Sequence, residues 1–365
     1  MRKKTRRKIA ILTGGGDCPG INAVIRAVTK KAIVEHDMDV IGFKDGYDGL
    51  VTDSHRALTY DDVSGIITLG GTILGASKTA NPYRYPVKVR GGVELRDLSA
   101  TAVRTVRRHG VDCLVCVGGD GTLTIAHKLH QDGVAVVGIP KTIDNDVRGT
   151  DMTFGFDSAA SIATEGVDRI HTTAQSHHRV MIVEVMGHRA GWLALYAGIA
   201  GGGDIILIPE IPYDSEKVAD WVKERHARGR RFTIVVVAEG ARPVGGRVVV
   251  RKVVEASADP LRLGGIGFVL ADELESLTGL DARAVLMGHL QRGGPPTHFD
   301  RVLGSQLGSR AVDLIVAGKF GRMAAMRAGS LTSVPLSVAA GGPRLVPRNH
   351  NLVKTARSTG AYFGD

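Results

Sequence analysis

Short apolar runs rich in β-branched residues recur along the chain, most of them bounded by glycine or proline and separated by helical patterns. The first series is KIAILT, DVIGF, CLVCVG and VAVVGIP; the second is VMIVEV, DIILIP, FTIVVVAEG and the segment around AVLMGHL. Strands that are apolar throughout are typical of parallel sheets covered by helices on both faces. The pattern predicts an α/β fold of two doubly wound, mostly parallel α/β domains, with ligands at the carboxyl ends of the strands.

A chain of 365 residues is long enough for two such domains. Since no segment rich in proline, serine or charge divides it, we place the boundary between residues 155 and 160. The first domain is then residues 1–157 with roughly 295–325, and the second is residues 158–294. Periodicity is weak after Val334, so residues 326–365 are predicted to form a C-terminal extension on the surface.

The net charge of +10 raises the question of a nucleic-acid or membrane partner. Aromatic residues make up only 5% of the chain, which offers no platform for stacking bases. No run of about 18 apolar residues is present. The sequence therefore predicts a cytoplasmic protein that binds neither nucleic acid nor membrane, with basic residues near phosphate-binding motifs.

Two of the three cysteines, Cys113 and Cys116, form a C-x-x-C within the apolar run VDCLVCVGG. In a strand, side chains three residues apart point to opposite faces. We therefore expect buried thiols in the core rather than a redox or zinc pair.

Two of the predicted strands end in glycine loops, LTGGGDCPGINAV at residues 12–24 and VGGDGTLTIA at residues 117–126. Free backbone N–H groups at a helix N-terminus favour a bound phosphate, although any strand-to-helix turn can use glycine. Asp120 adds information, because a carboxylate beside a phosphate requires a cation between them. Asp120 is therefore a candidate ligand for Mg²⁺ held by donor phosphates. Since G-G-D-G-T occurs in several kinase groups, it does not identify the acceptor.

The segment PKTIDND, residues 140–146, follows the strand VAVVGIP and concentrates the groups that phosphoryl transfer to an alcohol requires. Asp144 is the candidate general base, Lys141 can supply positive charge, and Thr142 lies between them. For Asp146, a turn stabilised by Asx hydrogen bonds is the alternative.

Taken together, several segments resemble the phosphofructokinase family, in order and at suitable spacing from about residue 8 to residue 325. They are LTGGGDCPGINAVIR, GGTILG, GGDGT, PKTIDND, SHHR, GHLQRGG and the DR that follows. The lysine in PKTIDND resembles the subgroup that contains both ATP-dependent and pyrophosphate-dependent members. The resemblance implies that fructose 6-phosphate is converted to fructose 1,6-bisphosphate in glycolysis, in a cleft between the two domains.

The resemblance also implies roles for particular residues. The first domain would bind the donor through Gly15, Gly16, Lys78, Gly119, Asp120, Gly121 and Thr122, with Asp120 on Mg²⁺. The sugar phosphate would be bound by Thr142, Ile143 and Asp144 of the first domain together with Met186, Gly187, His188, Glu239, His289, Leu290, Gln291 and Arg292 of the second. Arg179 and Arg283 resemble residues that reach the sugar 6-phosphate across a subunit interface, which implies a homodimer or homotetramer.

Two residues bear on the choice of donor, and they favour different donors. In the family, a carboxylate after the loop aspartate would occupy the place of the ATP α-phosphate; here that residue is Gly121, which favours ATP. Lys141 instead accompanies pyrophosphate use. The steric argument favours ATP, with a pyrophosphate-dependent enzyme as the alternative.

Two positions depart from the family pattern. Lys78 stands where an arginine is common, and His188 stands where arginine usually follows M-G, with Arg189 next. Adjacent residues of a helix or strand point different ways, so Arg189 is not an automatic substitute. The departure at His188 leaves a further alternative, a non-catalytic regulatory paralogue.

Overall fold

Two sheets of mostly parallel strands form the frame of the computed structural model, which describes residues 6–254 and 261–365. The strands are β1 (Lys8–Thr13), β2 (Asp39–Phe43), β3 (His55–Ala57), β4 (Tyr85–Val89), β5 (Gly92–Arg96), β6 (Cys113–Gly118), β7 (Val136–Pro140), β8 (Val180–Val185), β9 (Ile205–Leu207), β10 (Thr233–Ala238), β11 (Val250–Val253), β12 (Leu261–Leu263), β13 (Ala282–Leu286), β14 (Arg322–Arg327) and β15 (Ser330–Pro335). The helices are α1 (Ile21–His36), α2 (Tyr47–Thr52), α3 (Ser99–Arg108), α4 (Asp120–Gln131), α5 (Phe156–His177), α6 (Trp192–Ala200), α7 (Ser215–Ala227), α8 (Ile266–Thr278), α9 (His298–Val316), α10 (Leu336–Ala339) and α11 (Asn351–Ser358). Short 3₁₀ turns span Ile66–Thr68, Pro82–Arg84 and Gly288–Arg292.

The larger sheet has the order β15-β14-β7-β6-β1-β2-β3 among the described residues. Its five inner strands run parallel, and the strands at both edges are antiparallel to their neighbours. After β1 the chain moves to β2 on one side and later returns to β6 on the other. The loops after β1 and β6 therefore leave from a topological switch point, where open α/β sheets bind ligands.

The smaller sheet, with the order β13-β8-β10-β9, is parallel throughout its described strands. The loops after β8, β10 and β13 all leave from its carboxyl edge. The predicted α/β class with mostly parallel, helix-covered sheets is confirmed.

The strands are continuously apolar because both faces of each sheet are buried. In β1, Ile9 and Ile11 belong to an apolar cluster that extends into the smaller sheet, whereas Ala10 and Leu12 belong to a separate cluster on the other face. The same alternation places Cys113 in the first cluster and Cys116 in the second. Both thiols are free and buried, so the predicted core role is confirmed.

The prediction of a surface extension over residues 326–365 is wrong for much of that segment. Strands β14 and β15 complete one edge of the larger sheet. Farther on, the Ile206 N–H donates to the Tyr362 carbonyl at 2.9 Å, and Phe363 is fully buried. Single apolar side chains that enter an existing core produce no periodic pattern, so sequence reasoning overlooked them.

Within the described part of the chain, two hairpins lie outside both main sheets, β4–β5 and β11–β12. The second follows β10 and has a register shift between Val250 and Lys252. No helix in residues 6–254 or 261–365 is long and apolar enough to cross a membrane.

Candidate active site

A cleft of about 690 Å³ lies where loops from the carboxyl ends of the two sheets face each other. Most of the residues predicted from sequence line it. They are Gly15, Gly16, Lys78, Gly119, Asp120, Gly121, Thr122, Lys141, Thr142, Asp144, Met186, His188, Glu239, His289 and Arg292.

The two glycine loops pack against each other around Thr122. The Gly14 N–H donates to the Val117 carbonyl at 2.9 Å, which joins the ends of β1 and β6. A Cβ atom at Gly14 would lie 2.7 Å from the Thr122 hydroxyl, and one at Gly118 would lie 2.3 Å from the Thr122 Cβ. Glycine is therefore required at both positions for the loops to approach. The Tyr47 hydroxyl donates to the Thr122 carbonyl at 2.7 Å and fixes the first turn of α4.

Gly121 differs from those glycines, because a Cβ atom built on it would have no described atom within 4 Å other than those of its chain neighbours and its own helix backbone. It is exposed in the first turn of α4, next to Asp120. The glycine here leaves space in the cleft rather than serving the packing of the loops.

The turn after β7 positions the PKTIDND side chains. Asn145 has a φ of 50°, a left-handed conformation that asparagine tolerates better than most residues. Its Oδ1 accepts from the Thr153 N–H at 3.0 Å, and its carbonyl accepts from the Arg344 guanidinium at 2.8 Å. The Asp144 N–H donates to the Thr142 hydroxyl at 3.1 Å. Asn145 therefore stabilises the turn, while the Asp144 and Asp146 side chains line the cleft.

Three carboxylates, Asp120, Asp144 and Asp146, face one part of the cleft. Burial raises the pKa of Asp146, and repulsion from Asp144 and Asp120 raises it further. Asp144 Oδ1 is buried without a hydrogen-bond partner among the described residues. Repelling carboxylates with an unpaired oxygen are suited to hold a hard divalent cation that also binds phosphate.

Basic side chains surround the first glycine loop. Lys141 is buried, and its Nζ donates to the Gly16 carbonyl; burial lowers the pKa of this amine. Burial also lowers the pKa of Lys78, and the charges of Arg292 and Arg262 lower it further. The Arg292 guanidinium donates to the Asp17 carbonyl at 2.9 Å. Four cations in one region create a strongly anion-attracting surface.

The loops of the smaller sheet form the facing wall. The Met186 N–H donates to Gln291 Oε1 at 2.9 Å, and the His188 N–H donates to Glu239 Oε1 at 3.1 Å. Burial, with a smaller contribution from Asp144, raises the pKa of Glu239 to about 8. A carboxyl that is mostly protonated at neutral pH can both donate and accept a hydrogen bond to a sugar hydroxyl.

Besides Arg179 and Arg283, four of the predicted sugar-site residues do not line the cleft. Ile143 and Gln291 are fully buried, and Gln291 acts through its bond to the Met186 backbone. Leu290 is 69% exposed. His289 and Arg292 are three residues apart on the 3₁₀ turn, so they share the side that lines the cleft. Leu290 lies between them in sequence and is not on that side. Gly187 has a φ of 134°, and a Cβ atom there would lie 2.6 Å from the Ala190 carbonyl, so its role is in the turn.

Arg179 and Arg283 also lie away from this cleft. Arg179 directly precedes β8 and Arg283 is near the start of β13, so both are at the amino edge of the smaller sheet. At about 3.3 Å per residue, Arg179 lies roughly 20 Å from the carboxyl end of β8, and Arg283 lies roughly 10 Å from the carboxyl end of β13. Both guanidiniums pair with Asp281.

Sequence reasoning did not assign several lining residues to the site: Tyr47, Ser77, Ala80, Asn81, Ile125, Asp146, Arg189, Arg251, Lys252, Leu261, Arg262, Leu263 and Pro343. Most lie in loops and in the β11–β12 hairpin. The basic residues among short apolar stretches in VVVRKVV and LRL were the one available signal for the hairpin.

Comparisons with known proteins match the chain to one family. A sequence model of the family described as Phosphofructokinase matches residues 8–315. The chain is 51% identical over 361 residues to ATP-dependent 6-phosphofructokinase 2 of Clostridium perfringens, covering 98% of this chain and 99% of that one. It is 50% identical over 341 residues to pyrophosphate–fructose 6-phosphate 1-phosphotransferase of Amycolatopsis methanolica, covering 93% and 96%. The structure of Pichia pastoris phosphofructokinase in the T-state matches with a TM-score of 0.79 and 34% identity, covering 93% of this chain and 36% of that one.

Proposed function

Because the chain belongs to the phosphofructokinase family, we propose that it transfers a phosphoryl group from MgATP to fructose 6-phosphate and forms fructose 1,6-bisphosphate. Relatives that align over nearly their whole length are named ATP-dependent 6-phosphofructokinase, and others are named for the pyrophosphate reaction. The reaction belongs to glycolysis, and we place the enzyme in the cytoplasm.

The observation that carries the proposal is the arrangement of charge in the cleft. Asp120, Asp144 and Asp146 lie on one side, and Lys78, Lys141 and Arg292 line the same cleft. Phosphoryl transfer needs cations to stabilise charge on the moving group and a carboxylate to accept the proton of the attacking hydroxyl. The cleft contains both.

Asp144 acts as the general base in this proposal, since its buried Oδ1 has no hydrogen-bond partner among the described residues. Asp120 would hold Mg²⁺, which when bound would offset the negative charge of the donor phosphates. Lys141 and Arg292 orient the transferred group, and Glu239 binds a sugar hydroxyl. Replacing Asp144 with asparagine keeps the shape of the side chain but removes the base.

ATP is favoured as donor by the open space at Gly121, where a Cβ atom would contact nothing beyond its chain neighbours and its own helix backbone. The cleft also extends past the phosphate loops to Ala80, Asn81 and Ile125. It is therefore longer than a pyrophosphate molecule requires. Lys141, which accompanies pyrophosphate use in the family, is buried beneath the first loop and can serve either donor.

The purified protein should be assayed with fructose 6-phosphate and either ATP or pyrophosphate, measuring fructose 1,6-bisphosphate. We expect turnover with ATP, and a D144N variant should lower kcat by about 10²- to 10⁴-fold. Turnover with pyrophosphate alone would establish the alternative donor. Absence of turnover with both would favour the regulatory paralogue.

A substitution at Gly121 tests the steric argument directly. G121D should abolish use of ATP and leave any pyrophosphate activity, because the carboxylate would occupy the place of the α-phosphate. G121A is the matched control, since it adds only a methyl group in open space. Equal loss in both variants would contradict this explanation of donor choice.

We further propose a homodimer or homotetramer in which Arg179 and Arg283 complete the sugar-phosphate site of a neighbouring subunit. Their position toward the amino edge of the smaller sheet, outside the lining of their own cleft, supports this, as does the bidentate fit of guanidinium to phosphate. Mixing inactive D144N and R283A subunits should restore about a quarter of wild-type activity, because a hybrid dimer has one undamaged site. No recovery in hybrids would contradict the shared site.

A further inference from the structure

The β11–β12 hairpin contributes three cations to the cleft. Arg251 and Lys252 on β11 and Arg262 on β12 all line it, although the hairpin belongs to neither main sheet. The outer side of the hairpin faces solvent, with Val253 56% exposed. A small sheet with its basic side chains toward an anion-binding cleft is suited to contact phosphate.

A β-bulge explains how two consecutive residues can line the same cleft. Val250 pairs with Leu263 and Lys252 with Arg262, so Arg251 is an extra residue on β11. Without a bulge, Arg251 and Lys252 would point to opposite faces. Bulges redirect side chains and are frequent beside active sites.

Hydrogen bonds hold the residues that follow β12 against the smaller sheet. The buried Glu184 carboxylate on β8 accepts from the Gly265 N–H at 2.9 Å and from the Gly267 N–H at 2.8 Å. Gly264 and Gly265 have φ values of 131° and 99°, a conformation suited to glycine. The end of β12 is therefore held close to the sugar-phosphate wall.

The basic face of the hairpin nevertheless reaches the donor side. Lys78 lies beside the first glycine loop, and the positive charge of Arg262 on the hairpin contributes to lowering its pKa. Arg292 lies against the same loop, since a Cβ atom at Gly16 would be 2.5 Å from its Nη1. These cations from three separate segments converge where a polyphosphate would neutralise them.

We propose that the β11–β12 hairpin is part of the donor site, with Arg262 binding donor phosphate from the wall opposite the glycine loops and Arg251 and Lys252 extending that contact. The identity of the donor rests on the proposed function; the phosphate contact does not. The hairpin would thereby link donor binding to the sheet that carries the sugar site.

The test compares R262A with R247A, since Arg247 is an exposed arginine of the same segment that does not line the cleft. R262A should lower kcat/KM for the donor about 10- to 100-fold and leave the fructose 6-phosphate KM within about twofold. R262K should recover part of the loss, because it keeps the charge without the planar fork. R247A should match the wild type.

Equal kinetics for R262A and R247A, or a change confined to the fructose 6-phosphate KM, would overturn the inference. Calorimetric binding of inorganic tripolyphosphate to the wild type, R262A and R247A separates it from the proposed function, because binding requires no turnover. Weaker binding only in R262A supports the hairpin contact even if neither donor is turned over. Equal binding in all three proteins overturns it.

Discussion

His188 shows how one backbone conformation changes which side chains reach the site. Its φ of 50° is left-handed, which interrupts the alternation expected of adjacent residues. As a result both His188 and Arg189 line the cleft. The expectation that Arg189 would not point the same way rested on regular helix or strand geometry, and the structure differs from it for this reason.

Exchanging the two residues, H188R with R189H, should lower the fructose 6-phosphate KM by about 3- to 10-fold, because a guanidinium at position 188 adds a charge-assisted hydrogen bond. Steady-state kinetics with fructose 6-phosphate as the varied substrate measures this. R189A alone controls for loss of the neighbouring arginine. An unchanged KM and kcat in the exchange variant would contradict the interpretation.

Glu239 should make stability depend on pH. Its pKa of about 8 in the folded protein lies above the ordinary value of 4.5, so the folded state holds a proton that the unfolded state releases. Stability is therefore lost as pH rises from about 4.5 to about 8. E239Q keeps a neutral side chain and should lose less stability between pH 6 and pH 9, by on the order of 1 kcal/mol. Thermal unfolding at both pH values tests this; parallel losses in the two proteins would refute it.

At the scale of elements, Asp53 joins the ends of α2, β3 and α3. It is the left-handed C-cap of α2, and its carboxylate accepts from His109 Nε2 at 2.6 Å and Arg108 Nη2 at 2.5 Å. His55 Nδ1 lies 3.6 Å from the same carboxylate. The hydrogen bond with His109 is the main cause of a lowered pKa for Asp53, and the charges of His109, Arg108 and His55 add to it.

D53N should lower the thermal midpoint by about 1–3 °C at pH 7, because asparagine keeps the left-handed cap but loses the charge. The contribution of a depressed carboxyl is present above its unfolded pKa and is lost as pH falls. The difference from wild type should therefore shrink as pH falls toward 3. D61N, at an exposed aspartate, is the control; a difference that is constant with pH would contradict the charge argument.

Elements were predictable from sequence where both faces of a strand are buried. Thus β1, β6 and β8 read as continuous apolar runs. The hairpin strands β11 and β15 did not, because every residue of β11 is exposed and only one residue of β15 is buried, so their composition resembles that of a loop. The same reason kept Arg251 and Arg262 out of the predicted site, whereas the compact motifs around Asp120 and Asp144 were found.

At the scale of the whole molecule, the C-terminal segment connects parts that are distant in sequence. Arg344 bonds to the Asn145 carbonyl beside the cleft, and the Trp192 indole donates to the Arg344 carbonyl at 2.8 Å. Tyr362 stacks on Trp221 with ring centroids 5.6 Å apart. Such long-range contacts carry no local sequence signal, which is why neither the edge strands nor this segment could be placed from sequence.

F363A should therefore destabilise the protein by about 3–5 kcal/mol, because it removes a fully buried aromatic ring from the core. Chemical denaturation followed by circular dichroism measures the change in midpoint. F320A, at a phenylalanine that is 37% exposed, should have a much smaller effect. Equal effects of the two variants would mean that residues 360–365 contribute no more than surface residues do.

The order of the larger sheet has a consequence for biosynthesis. Strand β7 ends at Pro140, but its neighbour β14 begins only at Arg322. At 5–20 residues per second, a ribosome needs about 10–40 s to make the intervening chain. All described strands of the smaller sheet emerge within that interval. The smaller sheet can therefore assemble before β14 completes the larger sheet, which carries both glycine loops. The nascent chain must keep the open edge of β7 from pairing wrongly until translation is nearly finished.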